Sequence, residues 1–165
     1  MAEPHERLDL PALVRHRDYR RFLAIQLAPT ERRAALYAVT AFAIEIGDIP
    51  GKVSQPLVGF TRLAWWREAL QAMEQGALAR PHPVLQALST LSTVPYGALA
   101  AIITEAQHAL EDSPVRHPPA GLDHAWQTLL GANTKPLDAV RYLQRQARIH
   151  PTHILRLLWM SISGR

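Results

Sequence analysis

Residues 30–46 constrain this chain more than any other stretch, because they are apolar nearly all the way round a helix. Leu36, Val39, Ala43 and Ile46 fall on one face at helical spacing, and Tyr37, Ala41 and Ile44 cover another. Such a helix has no polar stripe to give to water, so other helices must surround it. Thr30 and Glu31 suit its start, and Gly47 is the expected stop. Two glycines and two prolines within residues 47–56 predict a loop that no helix crosses.

The rest of the chain supplies the surrounding elements. A first helix is expected over residues 11–27, capped by Asp9 with Pro11 tolerated in its first turn. Residues 57–76 form a long amphipathic helix with Phe60, Leu63, Trp66, Leu70 and Met73 on one side. Further helices are expected over residues 83–91, 95–110, 124–130, 137–147 and 152–161, with a proline-rich linker over 112–121. No window alternates apolar and polar residues as a strand does, so the fold class is all-α. Residues 1–165 read as one helical domain.

Composition excludes several chemistries. There is no cysteine, which removes disulfides, thiolate zinc sites and thiol nucleophiles. The net charge of +4 comes almost wholly from arginine, with Lys52 and Lys135 the two lysines. These arginines are scattered in short clusters and never form a basic run with interleaved aromatics, so nucleic acid is not an expected partner. Glu3, Glu6 and Asp9 near the start are unlike a secretory or transit signal and lead to the expectation of a cytoplasmic address. The apolar run over residues 154–162 is interrupted by Arg156 and is too short to span a bilayer.

An ordered set of short motifs lies within residues 18–70. It comprises Asp18-Tyr19-Arg20, Ala28-Pro29, Arg33, Leu36-Tyr37-Ala38, Ala41-Phe42, Glu45-Ile46, Val53-Ser54, Pro56, Gly59 and Arg62-Leu63-Ala64-Trp65-Trp66-Arg67. In this order and spacing the set resembles the N-terminal part of the squalene/phytoene synthase family. Residues 155–165, with Arg156-Leu157-Leu158-Trp159, are similar to the C-terminus of some bacterial members. The resemblance implies an all-α bundle of the isoprenoid synthase type, here shortened. Enzymes of that family join two prenyl diphosphates head to head, using two aspartate-rich motifs that hold magnesium on the leaving group. Carboxylates one helical turn apart share a face, and magnesium needs such hard oxygens together with phosphate.

Laid on this chain, the first motif falls on residues 47–51, where Gly47 and Gly51 stand at the ends and only Asp48 is acidic. After Gly76 the acidic residues are Glu105, Glu111, Asp112, Asp123 and Asp138, and no two stand four apart. The resemblance therefore implies a degenerate, non-catalytic member acting as an interaction or assembly protein. Within the family it is similar to the subgroup that resembles the mitochondrial complex I assembly factor. No catalytic or metal-ligating residue and no cofactor are expected. The expected partner is a protein, in one version a membrane-associated respiratory complex, with peripheral contact on the inner face of a membrane and homodimerisation as further options. The alternative is a prenyltransferase or prenyl-diphosphate binder, in which case magnesium would be required.

Single residues carry paired readings. Glu45 is either a residual metal ligand or, as favoured, paired with an arginine such as Arg62. Asp48 is a magnesium ligand or, as favoured, a turn or capping residue. Tyr37, Glu45, Asp48, Arg62 and Trp66 are the candidates to line a substrate-like cavity. Arg62, Trp65, Trp66 and Arg67 could face an isoprenoid diphosphate, but adjacent residues point about 100° apart, so one tryptophan packs and the other is free for a partner. Trp65, Trp66 and Trp159 are thus the partner-contact candidates. His150 and His153 lack a third zinc ligand and read as solvent histidines, as do His82 and His108 in isolation. Residues 154–160 either lie on a membrane or partner groove or close the bundle.

Overall fold

The computed structural model describes residues 9–111, 120–145 and Leu157. Eight helices follow one another among these residues, with no strand: α1 (Leu10–Arg17), α2 (Tyr19–Ile25), α3 (Thr30–Lys52), α4 (Pro56–Glu74), α5 (Pro83–Ser89), α6 (Tyr96–Glu111), α7 (Ala120–Leu130) and α8 (Lys135–Gln144). The all-α expectation therefore holds.

The unbroken burial of residues 35–43 makes α3 the centre of the molecule. It packs against α1, α2, α4, α5, α6 and α7, as a helix without a polar stripe requires. By length and composition α3 could cross a membrane, with a mean hydropathy of 1.2, but 61% of that window is buried inside the bundle. Burying such a surface is the main favourable term in folding. Around it, α4 lies on α6, α6 on α7, and α8 on α2.

Two buried polar residues stitch this core together. Thr40 Oγ1 donates to the Leu36 carbonyl at 2.6 Å and accepts from Trp126 Nε1 at 3.1 Å, joining α3 to α7. The Arg21 guanidinium, 4% exposed, reaches Asp18 at 3.0 Å and Asp123 at 2.9 Å and lies 5.9 Å from the Trp126 ring centre. It thereby fastens α2 to α7.

Several boundaries differ from the sequence expectation. The helix expected over residues 11–27 is two helices, broken at Asp18. The Asp18 N–H donates to the Val14 carbonyl and closes α1, while its carboxylate accepts from the Arg21 N–H at 3.0 Å and opens α2. Asp9 does cap α1, accepting from the Ala12 N–H at 3.1 Å.

The expected loop over residues 47–56 is mostly helix, since α3 continues through Gly47, Pro50 and Gly51 to Lys52. Burial of Ile49 holds this last turn on the core, and Asp48 ties it to Arg17 of α1 and to Lys52. Pro50 removes one backbone donor close to the helix end, and Lys52 there complements the helix dipole.

Helix α7 begins at Ala120, inside the expected linker. Its N-terminus is capped from α6, where Glu105 accepts from the Gly121 N–H at 2.9 Å. Gly121 lets the two helices touch, because a Cβ there would stand 2.9 Å from the Ala98 carbonyl oxygen. The remainder of that linker, His150, His153, Trp159 and the helix expected over 152–161 lie outside the described residues apart from Leu157, which is buried.

Candidate functional site

The last turns of α3, the middle of α4 and the residue preceding α5 enclose an open pocket of about 280 Å³. Its walls are Glu45, Asp48, Ile49 and Lys52 from α3, Arg62, Trp65 and Trp66 from α4, and His82. Helical continuation past Gly47 is what builds it, since Glu45, Asp48 and Lys52 are then spaced three and four apart along one face.

Asp48 meets a cation at each oxygen. Arg17 donates to Oδ1, and Lys52 stands 2.8 Å from Oδ2. Burial resists ionisation of Asp48, but hydrogen bonds from Lys52 and Arg17, together with their charges, outweigh it and hold the carboxyl below its usual range. Asp48 is therefore not the loop or capping residue expected from sequence.

The two tryptophans divide as their adjacency requires. Trp66 is buried edge-on against Phe42, with ring centres 5.4 Å apart, so it serves packing and not a partner surface. Trp65 is 37% exposed, and the Arg80 guanidinium lies 5.2 Å from its ring centre. Both tryptophans meet His82, at 6.1 Å for Trp65 and 4.6 Å for Trp66. His82 Nδ1 accepts from the Val84 N–H at 3.3 Å and caps α5, which leaves its proton on Nε2. Burial lowers the His82 pKa, and the charge of Glu45 works in the opposite direction.

The expected Glu45–Arg62 ion pair does not form. Among the described residues neither side chain has a hydrogen-bond or ion-pair partner, although both line the pocket. Glu45 is half-buried and opens onto the pocket, so the desolvation that would have demanded a partner is incomplete. Tyr37 lies apart from the pocket. It is buried, its hydroxyl accepts from Gln26 Nε2 at 2.7 Å, and burial raises its pKa against the effects of Gln26 and Arg33. Arg67 turns away to Thr104 and Gln107 of α6. Sequence reasoning missed Arg17, Lys52 and His82 as parts of the site. The signal for Lys52 was its four-residue spacing from Asp48, legible only once the helix is known to continue.

These residues do not fit a magnesium ion. Magnesium takes near-octahedral oxygen ligands, whereas both Asp48 oxygens face the protein's own cations. Among the described residues no three His, Asp or Glu side chains come close enough together to hold a metal ion.

The architecture is that of a helical bundle with the apolar helix α3 at its centre. The sequence profile of the squalene/phytoene synthase family matches residues 14–124, and the chain belongs to that family. It is also similar to NADH dehydrogenase (ubiquinone) complex I, assembly factor 6, from Homo sapiens, at 32% identity over 59 residues covering 36% of this chain and 18% of the relative. The Rattus norvegicus protein of the same description is 33% identical over 70 residues, covering 42% of this chain and 21% of its own length. The matched segments thus span about a fifth of these curated relatives. No solved structure matches the chain.

Proposed function

We propose that this chain is a non-catalytic family member that acts as an interaction or assembly protein for a respiratory complex. It would work in the cytoplasm or peripherally on the inner face of a membrane. One observation carries the non-catalytic reading: the acidic residue at the first magnesium motif is held by Arg17 and Lys52. Departure of an allylic diphosphate builds negative charge that divalent ions must stabilise. A guanidinium and an ammonium already committed to Asp48 are poor substitutes. The respiratory link comes from the description of the relatives, complex I assembly factor 6.

The test is twofold. Purified chain incubated with farnesyl diphosphate and magnesium should release no diphosphate, and magnesium-dependent release would contradict the reading. A tagged native copy should retain subunits of a respiratory complex, and Trp65→Ala, at an exposed position, should weaken that retention without changing thermal stability. Retention unaffected by any exposed α4 substitution would remove Trp65 from the interface.

A further inference from the structure

We infer that the face built from α1, α2, the first turn of α3 and α8 docks an acidic segment of a partner protein, with Arg15 and Tyr19 at the point of contact. Charge is the first observation. Residues 9–33 and 135–145 hold nine of the thirteen arginines and lysines among the described residues, but four of the eleven aspartates and glutamates. These segments adjoin, because α2 packs against α1, α3 and α8, and Arg20 Nε donates to the Leu143 carbonyl at 3.1 Å. Three of the four acids there already serve the protein's own groups: Asp9 caps α1, Asp18 binds the buried Arg21, and Asp138 stands 3.6 Å from Arg141. The other described residues carry seven acids against four cations. The molecule is thus polarised, and its positive side steers and orients an acidic partner.

A row of aromatic rings crosses the same side. The Arg15 guanidinium lies 5.8 Å from the Phe22 ring centre, Tyr19 stacks on Phe22 at 6.0 Å, and Phe22 meets Tyr37 at 6.3 Å. Gln26 donates to the Tyr37 hydroxyl at 2.7 Å, and its carbonyl accepts from Arg33 at 2.9 Å. Arg15 and Arg33 therefore bracket the row. Tyr19 is 42% exposed, and Arg15 is exposed with no carboxylate partner among the described residues. A guanidinium over a ring still offers its edge donors, which match a carboxylate in bidentate fashion.

The chemistry favours a protein over a lipid surface or a small anion. Tyrosine and arginine are the residues that most often dominate the energy of protein interfaces. The exposed apolar side chains that could enter a bilayer, Leu57, Val58 and Leu78, lie on α4 and just after it. A small anion needs cations that converge on one point, whereas here they are spread over several helices, as an extended acidic segment requires.

The inference rests on the preceding reading in one respect, that the chain works through protein contact. Fluorescence anisotropy of a labelled glutamate–leucine peptide, titrated with the purified full chain, is the test. The expected result is saturable binding that weakens as salt is raised and is about tenfold or more tighter than to the same peptide with glutamine in place of glutamate. Arg15→Gln and Tyr19→Ala should each weaken it about tenfold, with unchanged circular dichroism because both positions are exposed. Arg67→Gln, which removes the same charge from α4, should leave it as in the wild type. Equal loss in Arg67→Gln would show a response to net charge alone and overturn the inference, as would equal affinity for the glutamine peptide or no binding at all. Cosedimentation with phosphatidylglycerol vesicles without peptide binding would also overturn it, by assigning the face to a lipid surface. None of these outcomes decides the preceding reading, which is contradicted separately if the tagged native copy retains no respiratory-complex subunit.

Discussion

Asp48 changes role through its neighbours. A carboxylate at this place in the family's enzymes would meet magnesium, whereas here Arg17 from α1 and Lys52 one turn onward supply the positive charge. All three side chains are partly exposed, so the network should be worth about 0.5–1 kcal/mol and Asp48→Asn should lose that much in urea unfolding at neutral pH. The sign of the pH dependence follows from the lowered folded-state pKa. The contribution is complete above about pH 4, where the carboxyl of the unfolded chain is ionised, and it fades as pH falls through the folded value. The gap between wild type and Asp48→Asn should therefore close in acid. A gap that persists there would show that the variant acts through packing instead of charge.

Helix contacts at the next scale depend on where a side chain is absent. A Cβ on Gly121 would meet the backbone of α6, at the Ala98 oxygen and the Ile102 nitrogen, neither of which can rotate away. A Cβ on Gly59 would meet the tip of Leu110 at 2.7 Å, which can move. Gly121→Ala should thus cost about 1–3 kcal/mol and Gly59→Ala distinctly less, as thermal or urea unfolding would reveal; equal costs would contradict the contact picture. The α3–α7 bond is similarly exposed to test. Thr40→Val leaves the buried Trp126 N–H without an acceptor and should cost about 1–3 kcal/mol, while an unchanged midpoint would mean that the indole finds another partner.

What could be read at this scale followed from local rules. The all-round apolar pattern of residues 30–46 sufficed to place α3 at the centre, and Asp9 announced its own capping role. The end of α3 was misread because glycine and proline argue locally for a loop, whereas burial of Ile49 and the Asp48–Lys52 pair act through tertiary contact. The break at Asp18 was hidden for a related reason: the residues on both sides favour helix, and only the cap geometry separates α1 from α2. The pocket was half legible. Glu45, Asp48, Arg62 and Trp66 were singled out and do converge, but Arg17 joins them from a helix whose placement no local pattern encodes.

For the molecule as a whole, one hydrophobic cluster runs from Val14 through Leu143 and takes in Leu157, with α3 enclosed on most sides. Such a scaffold is an all-α bundle, and the proposed reading is that the chemistry at the first motif has been exchanged for the ion pairs of Asp48 with Arg17 and Lys52. The relatives matched over part of their length carry an assembly description. Electron paramagnetic resonance of Mn²⁺, standing in for magnesium and titrated into the purified chain at neutral pH, tests the exchange most directly. The account predicts that the signal of the free hydrated ion persists unchanged at every protein concentration. A saturable loss of that signal which Asp48→Asn abolishes would contradict it.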